Sequence, residues 1–338
     1  MLDLAAQWGD EGFIGFAHWQ IGFIFTLLGK LQEAQKQFDW VLNWITPELE
    51  VELRTAIGFG VTAQTLSFSA IGLWLLGFPE QARSRCIQAV TGAIERGDPY
   101  GQAFALVSDC NVLFLLRNHE AALQESSELS YQLCLQQGFV MWQPYMEGLF
   151  GWLAVLHGED LSGIGQIQRA IAGWQVKGMA IGMPYLTMVL VDGCLFVARR
   201  ISASDVRGGA VERSRLLAAG LQAIEPLLAP EVPFGQNFRP ELYRLKGELL
   251  LERDSLTAVE EAQACFEQAL QMGLEQGALA WQLRALMSMV RLRERQGEAY
   301  AAELAEARRG LRDLYARYTE GFDFPDLQEA AVLISERS

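Results

Sequence analysis

Between Arg239 and Gly297, apolar residues return at helical intervals three times. Leu242, Leu245, Leu249 and Leu250 form one stripe, which stops at the polar run Glu252–Asp254. Ala262, Cys265, Phe266 and Leu270 form a second, and Leu283, Leu286, Met287 and Val290 a third. This spacing predicts a helix–turn–helix unit followed by the next helix, with a small residue where two helices approach. The rest of the chain repeats the unit with variations.

About seven such hairpins are predicted, spanning approximately 12–45, 55–95, 99–137, 141–176, 184–228, 239–275 and 278–318, with a short capping helix at 325–335. LGKLQEAQKQF (Leu28–Phe38) holds a turn glycine, an inward Ala34 and then Phe38. LGFPEQARSRC (Leu76–Cys86) copies it, with Ala82 in the place of Ala34 and Pro79 at a first helical position that needs no N–H donor. Further turns are expected at Arg117-Asn118 and His157-Gly158, and a polar loop at Ile201–Gly209. Turns recur every 40–50 residues or so, against about 34 in a standard tetratricopeptide repeat, so the helices are long. No apolar–polar alternation competes as a strand signal. The fold class expected is therefore all-α: an α-solenoid, a right-handed superhelix of tetratricopeptide-like hairpins. Gly22, Gly151, Gly193 and Gly247 fall inside first helices, where glycine costs about 1 kcal/mol relative to alanine, and close backbone approach accounts for their recurrence.

Composition narrows the function. Of 338 residues, 51% are hydrophobic and mean hydropathy is +0.11, yet apolar runs such as Ile71–Phe78 and Met188–Val191 are too short to cross a membrane. A formal net charge of -14 disfavours phosphate backbones, so nucleic acid is not an expected partner. Cys86, Cys110, Cys134, Cys194 and Cys265 stand singly, as small buried hydrophobes in a reducing compartment would. The N-terminus lacks the basic region of a signal peptide, and a cytoplasmic location is expected. Helical pattern starts almost at Met1, as expected of a piece of a longer chain or a free-standing relative of such a piece.

LYRLKGELLL (Leu242–Leu251), EAQACFEQAL (Glu261–Leu270), WQLRALMSMVRL (Trp281–Leu292), SAIGLWLLGFPEQA (Ser69–Ala82) and YTEGFDFPDLQEA (Tyr318–Ala330) together carry a resemblance. The chain resembles the tetratricopeptide-like C-terminal region of bacterial signalling proteins. Those proteins carry a class III adenylate or guanylate cyclase domain, or another effector, and a predicted AAA/STAND-type ATPase. The resemblance implies a sensor or docking region without chemistry of its own. Neither a GxxxxGK[ST] phosphate loop nor a G-x-S-x-G elbow occurs. His18, His119 and His157 have no second histidine at helical spacing, and the acid pairs Glu159-Asp160 and Glu260-Glu261 sit at helix starts, where the dipole favours them. No catalytic, cofactor-binding or metal-binding residue is expected.

In stacked hairpins the first helices line the concave face. Offsets from the small packing residues place Phe16, Trp19, Phe23, Trp74, Phe104, Phe114, Tyr145 and Trp152 on that wall, followed by Glu241, Arg244, Glu248, Arg284 and Arg291. The wall is expected to be apolar at its N-terminal side and charged at its C-terminal side. The function expected is a non-catalytic interaction or sensor module that holds a peptide, a partner domain or a small ligand. The alternative is an intramolecular or homo-oligomeric scaffold for attached cyclase or ATPase domains, with no foreign ligand.

Overall fold

A computed structural model of the chain describes residues 11–117, 119–204, 209–253 and 257–335. The described residues are all-α, without strands, and form two compact units, Met1–Gln143 and Pro144–Ser338. Unit 1 contains α1 (Glu11–Leu27), α2 (Leu31–Trp44), α3 (Pro47–Ile57), α4 (Val61–Leu75), α5 (Pro79–Glu95), α6 (Pro99–Leu116) and α7 (Glu120–Gln137). Unit 2 comprises α8 (Gln143–Leu156), α9 (Asp160–Val176), α10 (Met183–Ser204), α11 (Gly209–Leu228), α12 (Arg239–Leu251), α13 (Ala258–Gln276), α14 (Leu279–Gln296), α15 (Ala301–Tyr315) and α16 (Pro325–Ser335).

Within each unit helices pack in series, and the first helix of a hairpin also reaches the first helix of the next. In unit 1, α4 touches α5 and also α6; in unit 2, α12 touches α13 and also α14. This serial pairing is the packing of a helical solenoid, in which each hairpin hides its apolar flank only against neighbours. The alanines expected inside are there: Ala34, Ala82 and Ala262 are fully buried. Glycine notches explain how the helices come so close. A methyl group on Gly22 would lie 2.6 Å from the Phe38 ring, and one on Gly247 would lie 2.5 Å from the Phe266 ring. Phe38 and Phe266 occupy matching places in the phrases EAQKQF and EAQACF, so the same notch is used in both units. At Gly151 and Gly163 backbone meets backbone: a methyl on either would come within 2.7 Å of the other's carbonyl oxygen.

Two local differences from expectation have physical causes. The second hairpin is not opened by one helix from Thr55. Instead α3 ends at Ile57, Gly58 takes a left-handed conformation (φ 86°), and α4 restarts at Val61. The start of α3 is an ordinary one, because the Thr46 hydroxyl accepts from the Leu49 N–H and Pro47 stands in the first turn. The loop expected at Ile201–Gly209 is shortened, since α10 continues through Ser204; residues 205–208 lie outside the described part. At the third turn the left-handed residue is Arg117 (φ 66°), while its expected companion Asn118 lies outside the described residues, as does Asp254. No single helix among the described residues is long and apolar enough to cross a membrane, and α3 and α4, apolar enough together, meet at 97°.

Candidate functional site

The first helices of unit 1 carry aromatic residues that meet ring to ring. Along α1, Phe16, Trp19 and Phe23 follow one helical face, with centroids 5.5 and 5.9 Å apart. From Phe23 a row runs across the helices to Phe68 of α4 (4.8 Å), Phe104 of α6 (5.5 Å) and Trp142 (5.6 Å). A second row runs from Trp19 to Phe59 (5.5 Å), Tyr100 (6.1 Å) and Phe139 (5.6 Å). These distances and tilts suit ring quadrupoles packed edge-on or offset. Phe16, Phe23, Phe59, Phe68, Tyr100, Phe104 and Phe139 are only half-buried, so the rows retain a solvent face; Trp19 and Trp142 are buried.

Of the residues expected on the apolar wall, Phe16, Trp19, Phe23 and Phe104 belong to these rows. Trp74 and Phe114 are buried. In unit 2, Tyr145 is buried against Trp174 (5.2 Å) and Tyr185 (5.5 Å), and half-buried Trp152 donates through Nε1 to Asp192 (2.9 Å). Phe59, Phe68, Tyr100, Phe139 and Trp142 were not anticipated. A signal for them exists in the spacing: aromatic pairs recur at Trp19/Phe23, Tyr100/Phe104 and Phe139/Trp142, three or four residues apart. The Phe59/Phe68 pair escapes that spacing because the break after α3 lies between its members.

The charged residues expected on the wall come together in unit 2, but as a closed network. Arg244 grips Glu241 with two nitrogens, each at 2.8 Å, and reaches Glu248 at 3.3 Å. Arg284 of α14 bonds Glu241 (3.2 Å) and Asp326 at the start of α16 (2.7 Å). Arg199 of α10 bonds Glu248 (2.6 Å) and Glu252 (2.9 Å), and Arg213 of α11 also bonds Glu252 (2.8 Å). The Ser288 hydroxyl donates to Glu248 (2.7 Å). Four guanidiniums thus face four carboxylates, and five helices are tied by them. Arg291 stands apart, half-buried and paired with Glu329.

Burial alone would raise the Glu248 carboxyl, but Arg244, Arg199 and the Ser288 hydroxyl hold it down at about 2. Burial opposes the charge of Arg244, and Glu241 and Glu248 nevertheless raise its pKa above the ordinary value. A carboxyl whose folded pKa is depressed stabilises the fold above its unfolded value and loses that contribution as pH falls. Unit 2 is therefore expected to lose stability as pH drops from 4.5 towards 2, the span between Glu248's ordinary and folded values. Urea midpoints measured across that range check this. In a Glu248→Gln chain the acid-dependent loss should shrink; an unchanged pH profile would contradict the assignment.

A smaller polar cluster ties α5, α6 and α7. Arg83 pairs with Asp109, which also accepts from the Ser126 hydroxyl (2.8 Å). Burial raises the Asp109 carboxyl against the pull of Arg83 and Ser126, while burial and the Arg83 charge lower His119. The five cysteines are buried free thiols, and burial pushes Cys110 and Cys194 up to about 12, which keeps them unreactive. Among the described residues no three histidine, cysteine or acidic side chains are grouped to hold a metal ion. Comparison with protein families and with curated proteins finds no match for the chain.

Proposed function

We propose that the chain is a non-catalytic helical-repeat interaction module whose working surface is the aromatic face of unit 1. The observation that carries this is the pair of half-exposed ring rows across α1, α4 and α6. Contiguous apolar surface of this kind marks a binding site more often than idle surface. Aromatic side chains also dominate binding energy, because they bury much area at little entropic cost. The charged residues of unit 2 supply no comparable surface, because their charges are consumed by one another. The rows suit an extended or helical peptide segment of a partner, or of another domain in the same polypeptide, better than a small ligand. The resemblance described above gives such a module a role as the cytoplasmic sensor or docking region of a bacterial signalling protein.

Phe68→Ala combined with Phe104→Ala tests the reading. A labelled, tryptophan-free apolar helical peptide, followed by fluorescence anisotropy, is expected to bind the unaltered chain and to bind the double variant about 10–100-fold more weakly. Circular dichroism reports whether the variant stays folded. Equal affinity in both chains would remove the aromatic face from the function.

A further inference from the structure

We propose that the partner segment on this face is basic as well as apolar: a peptide carrying lysine or arginine among its hydrophobic residues. The inference rests on the aromatic face being the binding surface and adds the chemistry of the occupant. Three observations converge on it.

The helices that build the face contain no cation. α1, α4 and α6 have neither lysine nor arginine within their bounds. Residues 1–143 as a whole have seven basic and fifteen acidic side chains. Exposed ring faces attract cations through their quadrupoles, and a basic segment would meet no competing charge from these helices.

The segments that carry Phe59 and Tyr100 are bordered in the chain by acidic residues, and two of these, Glu50 and Asp98, stand beside Gly60. Glu48, Glu50 and Glu52 lie on α3, and Glu95 and Asp98 flank the turn into α6. The two segments meet there: Arg54 donates to the Arg96 carbonyl (3.3 Å), and Arg96 Nε stands 4.0 Å from Glu50 Oε1. Arg54 and Arg96 are the basic residues of these two segments, against five acidic ones. Glu48, Glu52 and Glu95 are exposed, so the surplus faces solvent.

One carboxylate is held with an oxygen unused. Asp98 is 4% exposed; its Oδ1 accepts from the Gly101 N–H (3.0 Å), while its buried Oδ2 has no hydrogen-bond partner. Oδ2 sits beside Gly60, next to Phe59, where a methyl group would meet it at 3.1 Å and Glu50 Oε1 at 2.2 Å. Its charge is felt by the adjoining ring: burial raises the Tyr100 hydroxyl, and Asp98 raises it further. Glu50 is already satisfied, capping α4 through the Thr62 N–H and hydroxyl (3.3 and 2.9 Å). Asp98 therefore adds negative potential directly at the aromatic row.

The test uses the full chain and three labelled, tryptophan-free peptides of one length: leucine with lysine and arginine, leucine with glutamine, and leucine with glutamate. Anisotropy titrations are run at low and high salt. The basic peptide should bind about tenfold tighter than the neutral one and the acidic peptide weakest, with the preference shrinking in high salt as the acidic charges are screened. Glu48→Gln with Glu52→Gln, both exposed, should weaken the basic peptide several-fold and leave the neutral one unchanged. Phe68→Ala with Phe104→Ala should weaken both. Equal binding of basic and neutral peptides overturns this inference and leaves the interaction reading standing. Basic-peptide binding that ignores the two phenylalanines overturns it too, as adhesion to an acidic surface. No binding by any peptide overturns both.

Discussion

Replacing Arg284 by leucine should destabilise unit 2 by about 3–5 kcal/mol, the usual cost of removing one member of a buried ion pair. Arg284 is buried, and its guanidinium is the link between Glu241 on α12 and Asp326 at the start of α16. It also lies over the Trp281 ring, 5.4 Å from its centroid. Leucine restores some packing but takes the guanidinium away from both Asp326 and Glu241. Arg284→Lys should recover only part of the loss, because an ammonium does not fork to two carboxylates on different helices. Urea denaturation of the three chains measures the effect. A loss under about 1 kcal/mol would mean that the pair behaves as a solvated surface bridge.

Phe266→Ala is expected to cost a similar 3–5 kcal/mol, from lost burial and from the cavity left behind. The ring is fully buried with Ala262, Cys265, Leu250 and Leu292, and its edge lies in the Gly247 notch. Because α12 is shaped around that ring, it has no side chain at Gly247 to fall into the space. Gly247→Val in the Phe266→Ala background should return part of the stability, whereas Gly247→Val alone should destabilise by driving carbon into the ring. Denaturation midpoints of the four chains, read as a double-mutant cycle, give the coupling. Additive losses would show that notch and ring are independent.

What was legible in the sequence was what repeats locally. Helical stripes, turn glycines and the small residues Ala34, Ala82 and Ala262 each act within one or two turns of chain, and the hairpins follow from them. The break between α3 and α4 was missed because the apolar positions Leu53, Ile57 and Val61 continue a helical period straight through Gly58 and Gly60. The signal that should have prevailed was the Thr46-Pro47 start. The candidate site divides in the same way. Spacing found Glu241, Arg244, Glu248 and Arg284, yet gave no hint that Arg199, Arg213 and Asp326 would arrive from other parts of the chain to join them and Glu252 in one network. Helical offsets likewise found Phe16, Trp19, Phe23 and Phe104. They passed over Phe59 and Phe139, which lie outside helices where such an offset has no meaning.

Serial helical stacks commonly fray from their ends, since a terminal hairpin has a neighbour on one side only. In unit 2 the last helix escapes that weakness. Asp326 hooks α16 to Arg284, and through Glu241 and Arg244 the hook continues to Glu248 and on to Arg199 of α10. Melting the tail would strand charge deep in the stack, so α10, α12, α14 and α16 should open together rather than peel away one after another. Unit 2 is thus expected to yield as a single mechanical block, although it is built like a row of separable parts.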